Sequence, residues 1–272
     1  RRQRQMCIRD RSLSLGGLTY GVTNMELTSA YASIANGGTY QKPVLYTKVV
    51  DHNGNILLSN TQKGKRVMKE STAFLLTDAM KDVITKGTGK SAKLSSSMAV
   101  AGKSGTTSNS YDYWFSGYTP YHTASVWMGY DKNTNFASDN THKKIWAKVM
   151  NEIIKTKQEQ TTDFKKPADI VKAKVCKESG KLAIKGVCDH DPRGSRVITE
   201  YFEKGTVPTQ TCDIHVAVEV CKTSDKLATK NCPANKKQRK IYIVRKKGSH
   251  GKTADTPYML PKKYQSVFCK KH

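Results

Sequence analysis

The 272-residue chain has no apolar run that approaches the ~20 residues needed to span a bilayer. It is also poor in acidic residues: 22 Asp and Glu stand against 47 Lys and Arg, which gives a formal net charge of +25 at pH 7. Such a charge favours an anionic partner, such as nucleic acid, acidic lipid or a cell-wall polymer. Aromatic residues make up only 8% of the chain, and those at 111–130 lie in strand-like apolar runs. Because no nucleic-acid fold signature accompanies them, we predict no nucleic-acid partner and favour anionic wall polymers.

Recognisable cofactor motifs are lacking as well. The stretch Gly87-Thr88-Gly89-Lys90 follows a helical pattern and does not have the G-x-x-x-x-G-K-[ST] spacing of a phosphate-binding loop. Capping of the preceding helix explains its glycines better. No C-x-x-C pair occurs, so the usual spacing of a zinc knuckle is missing. We therefore predict no cofactor and no bound metal.

The periodicity of apolar residues predicts an α+β fold. Three stretches have helical spacing: residues 25–35, 70–86 and 141–154. Three strand-like runs are joined by short polar turns that suit antiparallel neighbours: residues 98–107, 111–118 and 123–130. Thr23 or Asn24 is expected to cap the first helix, and Asn53-Gly54 predicts a hairpin. The expected architecture is an antiparallel sheet flanked by helices, followed by a small β-rich extension that contains disulfides.

Composition divides the chain into four stretches. Residues 1–12 form a basic leader with three competing interpretations: a targeting arm, a disordered arm or, as we favour, non-native sequence from a truncated or misassembled reading frame. Residues 13–156 form the core domain. Residues 157–166 are polar and charged, as expected of a linker. Residues 167–272 are rich in lysine and hold every cysteine except Cys7.

The extension contains an internal repeat. The sequence V-C-K-E-S-G-K-L-A at 175–183 returns as V-C-K-T-S-D-K-L-A at 220–228, and a second cysteine follows each copy. A strand, a turn and a returning strand would bring the two cysteines of each copy together. We predict three disulfides: Cys176 with Cys188, Cys221 with Cys232 and, from the remaining pair, Cys212 with Cys269. Such bridges stabilise small modules in oxidising compartments, so we expect an extracytoplasmic location.

Zinc binding is the alternative for these cysteines. Cys212-x-x-His215 offers two ligands at close spacing, and the repeat cysteines could supply others. The gaps of about a dozen residues within each repeat favour a bridged hairpin over a knuckle.

The most informative segment is Lys103-Ser104-Gly105-Thr106-Thr107, which ends an apolar run. Side chains alternate along a strand, so Lys103 and Gly105 share one face while Ser104 and Thr106 share the other. Gly105 leaves the strand edge unobstructed, and a substrate backbone could hydrogen-bond there as an added strand would. The segment predicts an anion-receiving edge. The alternative is a solvated lysine that protects an edge strand from aggregation.

Lys103-Ser104-Gly105 resembles the third motif, Lys-Thr/Ser-Gly, of the serine acyltransferases that bind penicillin. LGGLTYGVT at 15–23 and MELTSAYASIANGG at 25–38 resemble the sequence upstream of that motif in class A, bifunctional penicillin-binding proteins. The resemblance covers residues 13–156. It implies the transpeptidase fold of that family, with an antiparallel sheet flanked by helices.

The resemblance also implies a serine-type D-Ala-D-Ala transpeptidase, which cross-links peptidoglycan stem peptides by acyl transfer and is acylated by β-lactams. Lys103 would help to polarise the catalytic Ser-Lys network. Ser104 and Thr106 would bind the terminal carboxylate, beside Gly105. A backbone N–H near Thr106 and Thr107 would stabilise the oxyanion.

In this family the nucleophile and the S-x-N motif precede the third motif, and the chain has too few residues before Lys103 to hold them. We therefore expect an inactive C-terminal fragment of a membrane-anchored parent that also has a glycosyltransferase domain. Ser249-His250-Gly251-Lys252 and Ser138-Asp139-Asn140 spell the first and second motifs, but both follow Lys103 and are interpreted as solvated loops. Two other functions remain open: a cationic wall-binding module and a noncatalytic β-lactam sensor.

Overall fold

The structure is a computed structural model that describes residues 21–245 and 253–271. The chain divides into two compact units, residues 1–168 and residues 169–272. The leader at 1–12 and the motif look-alike at 249–252 lie outside the described residues. Within the described part, none of the helices combines the length and the apolarity that crossing a membrane requires.

The first unit mixes helices with short strands. In chain order its elements are α1 (Asn24–Ala35), β1 (Thr39–Tyr40), β2 (Lys48–Val50), β3 (Ile56–Ser59), β4 (Lys65–Arg66), α2 (Glu70–Thr85), β5 (Ala101–Thr106), β6 (Asp112–Tyr118), β7 (Thr123–Gly129) and α3 (Thr141–Lys157). The predicted helices and central strands are confirmed, with ends that differ by a few residues.

The central sheet of this unit has the strand order β5-β6-β7, and both pairings are antiparallel. Its two faces carry separate cores. On one face Phe115 packs edge-on against Trp146 of α3, with ring centroids 5.2 Å apart. On the other face Ala101 and Tyr118 pack against Met80 of α2. A sheet with helices on both faces confirms the predicted α+β class.

The first helix and the predicted hairpin both begin with local side-chain bonds. At α1 the Thr23 hydroxyl accepts from the Glu26 N–H at 3.2 Å, and the Glu26 carboxylate accepts from the Thr23 N–H at 3.0 Å, which forms a capping box. Between β2 and β3 the Asp51 carboxylate accepts from the N–H groups of Asn53 and Asn55 at 2.9 and 2.8 Å. Gly54 has a φ of +85°, which glycine adopts readily. The cap and the hairpin are confirmed.

The Ser138-Asp139-Asn140 look-alike forms the start of α3. Asn140 has a left-handed φ of +71° just before the helix. The Asp139 carboxylate accepts from Lys144 Nζ at 2.8 Å and from the Thr141 N–H at 3.0 Å. These bonds lower the pKa of Asp139 to about 2.

The residues after α3 are anchored on the first unit. Asp163 forms an ion pair with Lys81 of α2 at 2.8 Å. Phe164 packs edge-on against Tyr118, with ring centroids 5.4 Å apart. The polar composition that suggested a linker at 157–166 thus belongs to a segment that packs against the sheet and α2.

The second unit is built from short antiparallel strands. In chain order they are β8 (Ile170–Cys176), β9 (Val197–Glu203), β10 (His215–Cys221), β11 (Lys226–Leu227) and β12 (Lys237–Ile243), followed by the short helix α4 (Lys263–Ser266). One sheet pairs β8 with β9, and the other has the order β11-β10-β12.

The two copies of the sequence repeat have the same backbone pattern. Val175 pairs antiparallel with Leu182 after a turn, and Val220 pairs with Leu227 in the same way. The residues of the second pair lie 45 positions after those of the first, so the repeat in sequence is a repeat in structure. The prediction of two related β-rich modules is confirmed.

Candidate substrate-binding edge

Within the described residues β5 is an edge strand, because it pairs only with β6 there. At its end the Thr107 N–H donates to the Asp112 carbonyl oxygen at 3.1 Å. Hydrogen-bonded pairs alternate along antiparallel strands, so the N–H and C=O groups of Ser104 and Thr106 point away from β6. The edge therefore offers two outward N–H donors to an extended ligand.

The motif side chains divide between the two faces of β5, as the alternation predicts. Lys103 lies opposite Ser116 and Gly105 lies opposite Trp114, whereas Ser104 lies on the other face. Lys103 is exposed, and its Nζ donates to the outward carbonyl oxygen of Ser104 at 2.7 Å. This bond brings the ammonium group to the open edge of the strand.

The two glycines of β5 have different reasons to be glycine. A Cβ on Gly102 would lie 2.9 Å from the Phe115 ring and 2.9 Å from the Ser116 carbonyl oxygen. A Cβ on Gly105 would meet only the Cβ of Trp114, at an ordinary 3.5 Å. Packing therefore requires Gly102, while Gly105 leaves open space beside the edge for a ligand backbone.

Ser104 is oriented by a threonine that the sequence analysis treated only as part of a helix cap. The hydroxyl oxygens of Thr88 and Ser104 lie 2.9 Å apart in a hydrogen bond. Gly87 and Gly89 flank Thr88, and a Cβ on either would lie 2.9 Å from a neighbouring atom of α2. Because the chain passes this close to the end of α2, Thr88 lies next to β5.

Thr107, which was predicted to bind substrate, takes part in the turn after β5. Its hydroxyl donates to an Asp112 carboxylate oxygen at 3.0 Å and accepts from the Asp112 N–H at 2.9 Å. Its own N–H is also bonded to Asp112. The outward donor at this end of the strand is therefore the N–H of Thr106.

A second lysine, which the sequence analysis did not single out, lies near Lys103. Lys143 stands in the first turn of α3 with its side chain buried, and its Nζ donates to Asn140 Oδ1 at 2.7 Å. Burial lowers the pKa of Lys143, and the charge of Lys103 lowers it further. Two neighbouring cations raise the positive potential that an anionic ligand would meet.

The motif lies on an open surface. Two cavities of about 740 and 540 Å³ lie elsewhere on the first unit, one beside the end of α2 and one beside α1. No residue of β5 lines either cavity.

The cysteines of the second unit form two buried clusters of free thiols. The first cluster contains Cys176, Cys188 and Cys212 together with His215, and the second contains Cys221, Cys232 and Cys269. None of the predicted disulfides is formed in the structure. The pairing of Cys212 with Cys269 is corrected in particular, because each of them packs with a different copy of the repeat.

The thiols of the first cluster differ in acidity. Burial raises the pKa of Cys188 to about 12. Burial also opposes ionisation of Cys212, but hydrogen bonds with Ser179 and with the backbone of His215 and Ile214 lower its pKa to about 6.

Comparisons with known proteins agree with the fold and the motif. A family model described as penicillin binding protein transpeptidase domain matches residues 9–155, and one described as penicillin-binding protein 1A, C-terminal domain, matches residues 166–217. The chain is 36% identical over 256 residues to penicillin-binding protein 1A of Clostridium botulinum, which covers 92% of this chain and 30% of that protein. It is 34% identical over 237 residues to penicillin-binding protein 2D of Bacillus subtilis, covering 84% and 32%.

The fold also resembles the crystal structure of penicillin-binding protein 1A from Haemophilus influenzae, with a TM-score of 0.59 and 23% identity over 75% of this chain and 35% of that one. The chain belongs to the penicillin-binding protein transpeptidase family. The match of its second part to the C-terminal domain of penicillin-binding protein 1A confirms the predicted relationship to class A proteins. The 272-residue chain spans about 30% of the length of the Clostridium botulinum relative.

Proposed function

We propose that the chain is part of a peptidoglycan D,D-transpeptidase, and that β5 forms one side of the site for the D-Ala-D-Ala end of a stem peptide. The observation that carries this proposal is the open edge of β5, where the Lys103 ammonium, the gap at Gly105 and the outward N–H of Thr106 lie together. The family match supports the reaction class. The nucleophilic serine is then supplied by parent sequence outside these 272 residues.

The reaction is acyl transfer in two steps. The serine Oγ attacks the carbonyl carbon of the penultimate D-Ala, the peptide C–N bond breaks, and the terminal D-Ala leaves once its nitrogen has gained a proton. An amine of a second stem peptide then attacks the ester carbonyl, loses a proton and releases the serine. β-Lactams would acylate the same serine.

The N–H of Thr106 is the donor proposed for the oxyanion in both steps. The carbonyl oxygen gains negative charge each time, and a fixed outward N–H stabilises that charge without reorganisation. Removing one oxyanion-hole donor costs ~2.7–4 kcal/mol in a serine protease. Antiparallel pairing of the substrate backbone with β5 would bring the carbonyl close to this N–H.

The terminal carboxylate of the substrate would bind the hydroxyls of Ser104 and Thr106. Thr88 holds the Ser104 hydroxyl in place, and Thr106 is exposed. Lys103 and Lys143 add positive potential that favours the anionic peptide end.

The proposal is tested by fluorescent-penicillin acylation of a longer protein that includes the upstream serine. We expect Lys103→Ala to lower the second-order acylation rate constant by about tenfold or more, a change of ~1.4 kcal/mol in the barrier. Lys144→Ala is the matched control, because Lys144 is 58% exposed and pairs with Asp139 at the helix start. Equal rate constants for Lys103→Ala and the control would refute the proposed role of the edge.

The 272-residue chain itself provides a second test. Without the serine it should form no covalent penicillin adduct. An adduct that survives denaturation would show that the nucleophile lies within these residues.

Binding to anionic wall polymer is a second candidate function, favoured by the net charge of +25. We also propose that the parent protein is anchored in the membrane and acts outside the cytoplasm, where it would meet such polymers. Pelleting with purified sacculi should decrease as salt rises, because screening weakens attraction between exposed charges. Pelleting that is unchanged at high ionic strength would count against this function.

A further inference from the structure

Four metal-ligating side chains converge in the second unit. The ligand atoms of Cys176, Cys188, Cys212 and His215 all lie within 4.8 Å of one another, and all four residues are buried. His215 Nδ1 lies 3.4 Å from Cys176 Sγ and 3.3 Å from Cys212 Sγ. We propose that these four residues bind one zinc ion in a structural site with three thiolates and one imidazole.

The distances fit a tetrahedral zinc ion. Zn–S bonds of ≈2.3 Å and Zn–N bonds of ≈2.0–2.1 Å place neighbouring ligand atoms roughly 3.5–3.8 Å apart. The two nitrogen–sulfur distances of 3.4 and 3.3 Å are close to this range. A disulfide needs an S–S distance of ≈2.05 Å and would use only two of the three sulfurs. The third thiol and the imidazole would remain buried beside such a disulfide. One metal ion, in contrast, would bind all four side chains.

The imidazole is held in the tautomer that a metal needs. His215 Nε2 lies 2.6 Å from an Asp191 carboxylate oxygen, and both side chains are fully buried. A carboxylate accepts a hydrogen bond from a nitrogen that carries a proton. Nε2 therefore carries the hydrogen, and Nδ1 presents its lone pair to the sulfurs. Arg193 Nη2 donates to the same carboxylate at 2.7 Å and fixes its position. This arrangement matches the outer shell of zinc-bound histidines.

The cluster also replaces a core that this unit otherwise lacks. Half of the buried apolar side chains described in the second unit are cysteines. Units with so small an apolar core are commonly stabilised by disulfides or by a structural metal. The Ile184 N–H donates to Cys188 Sγ at 3.3 Å, so a backbone amide holds this sulfur in the cluster.

The second copy of the repeat builds an equivalent cluster. The Cys212 N–H donates to the Leu182 carbonyl oxygen at 2.8 Å, and the Cys269 N–H donates to the Leu227 carbonyl oxygen at 2.8 Å. The Thr229 N–H donates to Cys232 Sγ at 3.3 Å, as Ile184 does to Cys188.

The second cluster offers three thiol ligands. Cys221, Cys232 and Cys269 have ligand atoms within 4.8 Å of one another. We extend the proposal to a second zinc ion at these cysteines.

Metal analysis of the 272-residue chain tests the stoichiometry. The protein is purified with reductant and without chelator, and zinc is measured by mass spectrometry beside a count of reactive thiols. Two tightly held zinc ions per chain, with thiols that react only after chelation, would support both sites. One zinc that is lost with Cys212→Ser would support the first site and refute the second. Absence of zinc from the purified protein, with thiols that react equally well before and after chelation, would overturn the proposal.

Variants distinguish a ligand from a merely buried histidine. His215→Ala should abolish zinc binding at the first site, whereas His190→Ala should retain it, because that nearby imidazole is 69% exposed. His215→Cys should keep the metal and strengthen the thiolate-to-cobalt charge-transfer band when Co²⁺ replaces zinc. This variant keeps the test decisive if His215→Ala fails to fold. An unchanged Co²⁺ spectrum with His215→Cys would refute coordination by this residue.

Asp191 is proposed as a positioning residue, since it contacts the imidazole and not the metal. Asp191→Asn should weaken zinc binding at the first site by about 10–100-fold while leaving tetrahedral Co²⁺ absorption in place. Unchanged affinity measured with a competing chelator would contradict this role.

Discussion

Gly102 and Gly105 occupy the same strand, yet substituting them should have opposite consequences. An alanine at 102 would place its Cβ 2.9 Å from the Phe115 ring and 2.9 Å from the Ser116 carbonyl oxygen. These neighbours are 0% and 2% exposed, so neither can move aside without disturbing the core. Overpacking of this kind costs ~1–3 kcal/mol. At ~2–4 °C per kcal/mol for a domain of this size, Gly102→Ala should lower Tm by roughly 2–12 °C.

An alanine at Gly105 meets only Trp114, at 3.5 Å. Replacing glycine in a permitted conformation stabilises by ~0.4–1 kcal/mol, because the unfolded chain loses freedom, so Tm should stay equal or rise slightly. The same variant should nevertheless slow penicillin acylation of the longer protein, because the new Cβ would stand on the face of β5 that carries Lys103 and would obstruct a ligand backbone there.

Thermal unfolding followed by circular dichroism measures the first effect, and fluorescent-penicillin labelling measures the second. An equal loss of Tm in Gly102→Ala and Gly105→Ala would refute the packing difference. Normal acylation of a stable Gly105→Ala protein would show that no ligand backbone lies against this strand.

Three further outcomes follow from buried or ion-paired groups of the first unit. Trp146→Ala removes a side chain with no exposed surface and should cost ~3–5 kcal/mol in urea unfolding, whereas Val149→Ala on the exposed side of the same helix should cost under ~0.5 kcal/mol. Burial raises the pKa of Tyr118, so its contribution to stability is present below pH ~10 and is lost as pH rises above that value. Tyr118→Phe should lower the free energy of unfolding by ~0.5–1.5 kcal/mol at neutral pH. The same variant should raise the pH midpoint of alkaline unfolding, because phenylalanine does not ionise. An unchanged midpoint would contradict this. Hydrogen bonds from Lys144 and Thr141 lower the pKa of Asp139 from 3.8 to about 2. The ionised carboxylate therefore stabilises the folded state above pH ~4, and this contribution is lost as the pH falls toward 2. NMR titration of Lys144→Met should show a higher pKa for Asp139.

Local structure in the first unit could be predicted from sequence because its signals are short-range. The capping box needs only Thr23 and Glu26, three residues apart, and the hairpin needs only the turn around Gly54. Side-chain alternation along β5 also follows from strand geometry, so the separation of Lys103 from Ser104 was predictable. The hydrogen bond between Thr88 and Ser104 was not predictable, because the two residues lie 16 positions apart. Their contact depends on how α2 ends against the sheet.

The cysteines show where sequence reasoning stops. The repeat and its two hairpins could be predicted from the V-C-K sequence that begins each copy. A strand, a turn and a returning strand are formed by residues close together in the sequence. The predicted disulfides are not formed in the structure. Spacing indicates which cysteines can approach each other but not which further side chains lie beside them. Cys212 and His215 reach the first cluster through long-range strand pairing, and Asp191 orients the imidazole from another loop.

The amino-acid sequence alone determined the family, the Lys103-Ser104-Gly105 motif and the repeated cysteine modules, because each is encoded in contiguous residues with a characteristic order. Only the tertiary structure decided that Thr106 presents the outward N–H, that a Cβ on Gly105 would meet only Trp114, and that three sulfurs and one imidazole share a site. Each of these depends on which distant backbone lies next to a residue, and the packing of the whole unit determines those neighbours.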